Sequence, residues 1–411
     1  MRSMLIPVLL ISLFVCSSVS FAEEQMASAP PSLQAGAALL IDAKSGTILY
    51  EKNAEERMYP ASITKIITGI MALESGRLDE LVTVSKEARY EDGTRVYLAE
   101  GEQVPLENLV YALMLNSGND AATAIAEHLA GSKAAFSEQM NLFVQEQVGV
   151  VNTHFMNPHG LPDPEHYTTA SDMAKITQYA LRNEKFREIV ATQKMPWNGK
   201  EWQSQLENHN KLLTTYEGAI GVKNGFTQAA GFTLVSAANR DGFELIAVIL
   251  KSDTNKNLYA EMTKLLDYGF EAFEPKQLFQ AGQTYNLQQE DQEPLQFVAD
   301  DEIWTAVPKQ QEATVQIGPT GAITMTSADR TWMAGQLTYV QPESADAHEV
   351  SALSVSAAAD ERTGEEPSAW TVPIAGAWLL MLLMLAAVGA MKINRQKQKR
   401  SRRVSYDERM R

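Results

Sequence analysis

Apolar residues at 106, 109, 110, 113 and 114 recur at the spacing of one helix face, which predicts a helix over Leu106–Leu115. It breaks at Asn116-Ser117-Gly118-Asn119-Asp120, whose composition favours a turn, and a second helix is expected from Ala121 to Leu129. Upstream, the runs 37–42 and 47–50 read as two strands joined by a Gly-containing turn, a hairpin. Pro60 followed by small and apolar residues, with Gly76 at the far end, marks the start and stop of another helix, with Ser62 in its first turn. Between 82 and 103 the pattern is broken and polar. A cap within 168–172 opens a helix over 173–181, and the runs 232–237 and 245–250 read as strands around the turn Asn239-Arg240-Asp241-Gly242. A helix over 259–273 closes this region. Past Pro275 the period changes to two, in runs such as 295–298, 314–317 and 336–339, which predicts a small all-β domain ending near Val340.

The two ends of the chain carry different patterns. Arg2, an apolar stretch from Leu5 to Val15 and Ser20-Phe21-Ala22 make a secretory signal peptide, cut after Ala22. From Val372 to Met391 runs an uncharged stretch of 20 residues, about 30 Å as a helix, which matches a bilayer core. Lys392, Arg395, Lys397, Lys399 and Arg400 follow it at once and place the C-terminal tail in the cytoplasm, so the body is expected outside. The segment before it, from Pro342 to Ser368, is rich in Ala, Ser and Glu and reads as a flexible stalk.

With 411 residues, 45% of them hydrophobic, the chain is long enough for two folded domains plus these accessory segments. Its formal charge of -16 coexists with a net +7 over residues 392–411, so the body is strongly acidic, which argues against nucleic acid as a partner. The one cysteine, Cys16, lies within the signal segment, and Val15 before it is not the small residue a lipoprotein site favours. A processed chain without cysteine excludes disulfides, thiolate catalysis and cysteine metal sites.

Three stretches carry candidate chemistry. Residues three apart on a helix share a face, so the Ser62 hydroxyl and the Lys65 amine can meet, a nucleophile beside a base. Lysine serves as a base only when unprotonated, which needs desolvation or a second cation nearby. Alone this pair is a weak signal, since a Ser-x-x-Lys arises by chance about once in a chain this long. Ser117-Gly118-Asn119 can point polar groups into a cleft, although on spacing alone an ordinary capped turn outweighs that reading. In 219–227, glycines beside Lys223 allow a ligand to approach the backbone, or the lysine is simply solvated on an edge strand. His159 and His166 lie in a long irregular loop with no metal-ligand spacing around them, and loop packing is the favoured role for both. No Gly-x-Ser-x-Gly occurs.

Taken in order, Ser62-Ile-Thr-Lys65, Ser117-Gly-Asn119 and Lys223-Asn224-Gly225 resemble the three motifs of penicillin-recognising serine enzymes. The flanking Tyr59-Pro-Ala, Met114-Leu-Asn, Asp120-Ala121, Asn157-Pro-His-Gly-Leu161, His166-Tyr-Thr-Thr-Ala170 and Gly221-Val222 look like the D-alanyl-D-alanine carboxypeptidases, the low-molecular-weight penicillin-binding proteins. The resemblance covers about residues 35 to 275. It implies an α/β (α+β) catalytic domain with an antiparallel sheet flanked by helices, as in serine β-lactamases and transpeptidases. The domains expected are then a signal peptide (1–22), a catalytic domain (23–274), a small β-rich domain (275–341), a stalk (342–371), a single transmembrane helix (372–391) and a basic tail (392–411). It further implies that Ser62 attacks the bond between two D-alanines of a peptidoglycan stem peptide, that Lys65 takes its proton, and that Ser117 relays protons to the leaving group. Asn119, Lys223, Asn224, Gly225 and Phe226 would bind substrate, with the oxyanion held by the backbone N–H groups of Ser62 and Phe226. β-Lactams would acylate the same serine, and no metal or cofactor is implied. Asn224 departs from the family's usual threonine, and its longer planar amide replaces a hydroxyl. The alternatives are an endopeptidase acting on D-alanyl cross-links and a wall-binding or β-lactam-sensing protein with weak turnover.

Overall fold

The computed structural model describes residues 29–289, 292–328 and 330–341. The expected signal peptide, stalk, transmembrane helix and tail lie outside these residues. Among the described residues no helix is long and apolar enough to cross a membrane.

The longest apolar runs build one five-stranded antiparallel sheet. Its strands are β1 (Ala37–Asp42), β2 (Ile48–Lys52), β3 (Ala219–Thr227), β4 (Gly231–Arg240) and β5 (Phe243–Ser252), in the order β2-β1-β5-β4-β3. The strand formed last in sequence lies at the centre because its run from Leu245 to Leu250 is apolar on both faces. Successive side chains of a strand point to opposite faces, and here they enter two cores. Leu39, Ile41, Ile246, Val248 and Leu250 pack on the side of most helices, whereas Leu40, Leu245, Ala247 and Ile249 pack on the other. Helix α4 (Asn255–Ala272) covers that second face with Leu258, Met262, Leu265 and Leu266. It starts four residues before the sequence pattern suggests, because the Thr254 hydroxyl accepts the Asn257 N–H at 3.1 Å and caps it. Phe273 opens the next strand instead of ending the helix.

On the first face lie α1 (Lys65–Glu74), α2 (Leu106–Leu115) and α3 (Asn119–Ala130). The predicted bounds of α2 are those observed. Helix α3 begins two residues earlier than expected, since Gly118 is extended and stands at its N-cap. The helix over 173–181 likewise begins earlier, at Ala170, because the Thr169 hydroxyl caps it through the Asp172 N–H. Helices Lys133–Phe143 and Glu184–Ala191 and the hairpin Lys194–Asn198 with Gln203–Glu207 fill stretches where the hydrophobic pattern gives no prediction. The hairpin buries only Trp197 and Leu206, too little for period two to stand out.

After α4, short strands form three small antiparallel sheets between Phe273 and Tyr339, around Phe279, Phe297, Val307, Ile323, Met325 and Leu337. This region docks on the β1–β2 turn through Thr47 Oγ1 and Thr305 Oγ1, 3.0 Å apart, and through Lys44, whose ammonium lies 3.9 Å from the centre of the Trp304 ring.

Candidate active site

Ser62 does not sit in an α-helical turn. Ala61–Thr64 form a single 3-10 turn, entered through Ala61 at φ 53°, and Lys65 is the first residue of α1. The tighter turn still holds the pair together, with Lys65 Nζ 3.1 Å from Ser62 Oγ. Lys65 is fully buried, and its amine also donates to Asn119 Oδ1 and to the His159 carbonyl, each at 2.7 Å. An ammonium would donate to all three oxygens. A neutral amine has two N–H groups for Asn119 and His159 and leaves its lone pair for the serine O–H.

The surroundings favour the neutral amine. Burial pushes the Lys65 pKa well below the ordinary lysine value, and the Lys223 charge pushes it further, against the opposing pull of Asp120 and Glu91. Lys223 is itself 1% exposed and pushed down to about 7 by burial. Its amine donates to the Asn224 carbonyl at 3.1 Å. It stands on β3, which is indeed an edge strand, yet it points inward and not into solvent.

β3 reaches the serine through Gly225. A Cβ at that position would lie 2.6 Å from the Ser62 backbone nitrogen and 2.8 Å from Thr233 Oγ1, so only glycine permits the approach. Thr233, opposite Gly225 on β4, donates its hydroxyl to the Pro60 carbonyl at 2.9 Å and braces the turn from below. Asn224 is half-buried beside Gly225, and Phe226 is exposed with its ring 4.4 Å from that of Phe232.

The third stretch enters through α2 and α3. Ser117 adopts φ 59°, a left-handed conformation uncommon for serine, and is buried; among the described residues its hydroxyl has no hydrogen-bond partner. Asn119 is held from behind, with its N–H on the Thr94 carbonyl at 2.7 Å and its Nδ2 on the Asp92 carbonyl at 2.6 Å. Asp120 accepts the N–H groups of Val96 and Leu98 at 3.1 Å, which ties segment 91–98 to the start of α3.

Ser62, Lys65, Asn119 and Gly225 are thus joined by direct contacts, and Lys223 acts on Lys65 through its charge. Hydrophobic patterning missed several neighbours. Thr233 and Glu91 lie in stretches without a motif, and so does His209, whose ring is pushed down to about 4 by burial first and then by Lys223 and Lys65; Asp120 flanks the second motif, but its position in the sequence assigns it no role. His166 packs as expected of a loop residue. It accepts the Met156 N–H on Nδ1 at 3.0 Å, turns Nε2 to Thr64 Oγ1 at 2.9 Å, and is pushed down to about 3 by burial. Among the described residues no cluster of His, Cys, Asp or Glu could hold a metal.

Comparison with known proteins bears on this arrangement. A sequence model of the D-alanyl-D-alanine carboxypeptidases matches residues 24–254. The chain is 35% identical over 260 residues to the carboxypeptidase DacF of Bacillus subtilis, an alignment spanning 61% of this chain and 66% of that protein. It is 33% identical to DacD of Escherichia coli over 317 residues, 72% of this chain and 80% of that protein. The crystal structure of penicillin binding protein 5 from Haemophilus influenzae superposes with a TM-score of 0.66 at 30% identity, covering 76% of this chain and 98% of that one.

Proposed function

The chain belongs to the D-alanyl-D-alanine carboxypeptidase family, and from that premise we propose that Ser62 and Lys65 carry its reaction. It is a serine-type D-Ala-D-Ala carboxypeptidase, a hydrolase of peptidoglycan stem peptides. The observation that carries the residue assignment is the buried Lys65 amine, 3.1 Å from Ser62 Oγ and 2.7 Å from both Asn119 Oδ1 and the His159 carbonyl.

Ser62 Oγ attacks the carbonyl between the two D-alanines while its proton passes to Lys65. The oxyanion that forms sits against the backbone N–H groups of Ser62 and Phe226, which the close approach at Gly225 favours. The proton returns through Ser117 to the departing amine, the C–N bond breaks and D-alanine leaves. Water then hydrolyses the ester on Ser62, with Lys65 again as the base. Lys223 and Asn224 face the terminal carboxylate, and Asn119 fixes Lys65 and contacts the peptide. β-Lactams acylate Ser62 by the same attack.

On the same reading residues 23–274 form the catalytic domain and 275–341 a separate β-rich domain. Residues 1–22 are a cleaved signal peptide, and 372–391 span the membrane with 392–411 in the cytoplasm. Support for this topology is the uncharged run and the basic residues that follow it.

The test is D-alanine release from a stem pentapeptide by the full chain and by Ser62→Ala. The variant is expected to lose release by about 10³-fold or more while remaining folded. Unchanged release by Ser62→Ala would refute the assignment.

A further inference from the structure

Beside His159, whose carbonyl receives the Lys65 amine, lies a largely enclosed carboxylate that the mechanism does not use. Glu91 has a side chain only 9% exposed, and its carboxylate accepts Lys133 Nζ and Thr123 Oγ1, each at 2.7 Å. The His159 ring faces the same carboxylate, with Nε2 at 3.6 Å from Glu91 Oε2. Leu161 donates its N–H to His159 Nδ1 at 3.3 Å, so Nδ1 is the acceptor and the ring proton sits on Nε2, toward Glu91. Nε2 is buried and makes no hydrogen bond, which leaves the Glu91 charge as its electrostatic partner. The backbone carbonyl of this same histidine receives the Lys65 amine.

We infer that Glu91 is a positioning residue for Lys65: it orients the His159 ring, and with it the carbonyl that holds the amine, and its negative charge acts on that amine. The inference rests on the reading of Lys65 as the base for Ser62. Glu91 is the more enclosed partner of its pair with Lys133, whose side chain is 27% exposed and also reaches Glu87 at 3.0 Å.

Two anions, Asp120 first and Glu91 second, raise the Lys65 pKa against burial and Lys223. Lys223 on β3 lowers the Lys65 pKa, whereas burial lowers the pKa of His209, His159 and His166 and favours their neutral rings. Asp120 on α3 is anionic, but burial raises its pKa in spite of its backbone hydrogen bonds, with Arg95 opposing. Glu91 differs. Burial works against its charge, yet the His159 ring, Lys133 and Thr123 together hold its carboxyl below the usual range. After Asp120 it is the second anion that opposes the loss of basicity that burial and Lys223 impose on Lys65, and of the two it is the one whose partners hold its carboxyl below the usual range. A base whose pKa fell too far would take the serine proton poorly.

The experiment is the rate of Ser62 acylation by a fluorescent penicillin, followed against pH with the full chain. The rising limb reports loss of the Lys65 proton. Glu91→Gln is expected to move that limb down by about 0.5–1 pH unit, whereas Glu91→Asp, which keeps the charge, restores it to within about 0.2 unit. Lys133→Met leaves the Glu91 charge less compensated and is expected to move the limb up, so the inference stays testable if Glu91→Gln does not fold. A limb that stays in place in both variants, with only the plateau lowered, would show a structural role and overturn the inference. Lys65→Met separates the premise from it: undiminished acylation in that variant would remove Lys65 as the base, whatever Glu91 does.

Discussion

In the sheet-and-helix region, from 37 to 272, Lys65 and Lys223 are almost completely out of water, and Asp42, Asp120, His159, His166 and Asp172 are buried as well. In the β-rich region, from 273 to 339, the described buried residues are nearly all apolar, and the buried polar ones are Thr305 and Ser327. The difference is one of surplus. A sheet with an apolar core on each face gains enough from burial to keep two lysines desolvated, a state that opposes folding at any pH where they would otherwise be charged. The later strands enclose one small core, led by Phe297 and Met325, with no margin for such groups. The chemistry lies where the packing can hold it.

Removing the small core's fully buried phenylalanine tests the comparison most strongly. Phe297→Ala is expected to destabilise the β-rich strands by about 3–5 kcal/mol, seen as an earlier transition in urea, while D-alanine release below that transition is unchanged. Loss of release in step with the unfolding of those strands would mean that the two regions are not separable. In the other region a single methyl group has the opposite profile. Gly225→Ala forces β3 away from the Ser62 backbone nitrogen and is expected to lower acylation about 10²–10³-fold, with a thermal midpoint close to that of the parent. Equal losses in rate and stability would show that Gly225 serves packing and not the approach of β3. The smallest effect is expected at Asn224, half-buried on that strand. Asn224→Thr should leave release within about tenfold, roughly 1.4 kcal/mol, and a loss beyond a hundredfold would give this asparagine a role of its own.

Much of the frame is legible along the chain. Helix α2 has the predicted bounds, and β1, β4 and β5 lie on the predicted runs because each buries a continuous or periodic apolar face, while β2, which buries only Leu49, follows from the turn that joins it to β1. Errors cluster at helix starts, where Gly118, Thr169 and Thr254 act through cap geometry that hydrophobic periodicity does not register. The three motifs are legible as well, but not the groups that support them. Glu91 lies in a polar stretch between 82 and 103 that carries no pattern, and only the fold sets it between Lys133 and the His159 ring.

The sequence by itself determines the periods, the three short motifs and therefore the family and its reaction, since these depend on residue type and near spacing. Tertiary structure decides that Lys65 finds three oxygens from residues 3, 54 and 94 positions away. It also decides that Lys223 points inward from an edge strand, and that Gly225 lies against Ser62. The physical reason is that basicity and oxyanion binding depend on desolvation and on charges a few ångströms away, and those are set by which distant segments pack together.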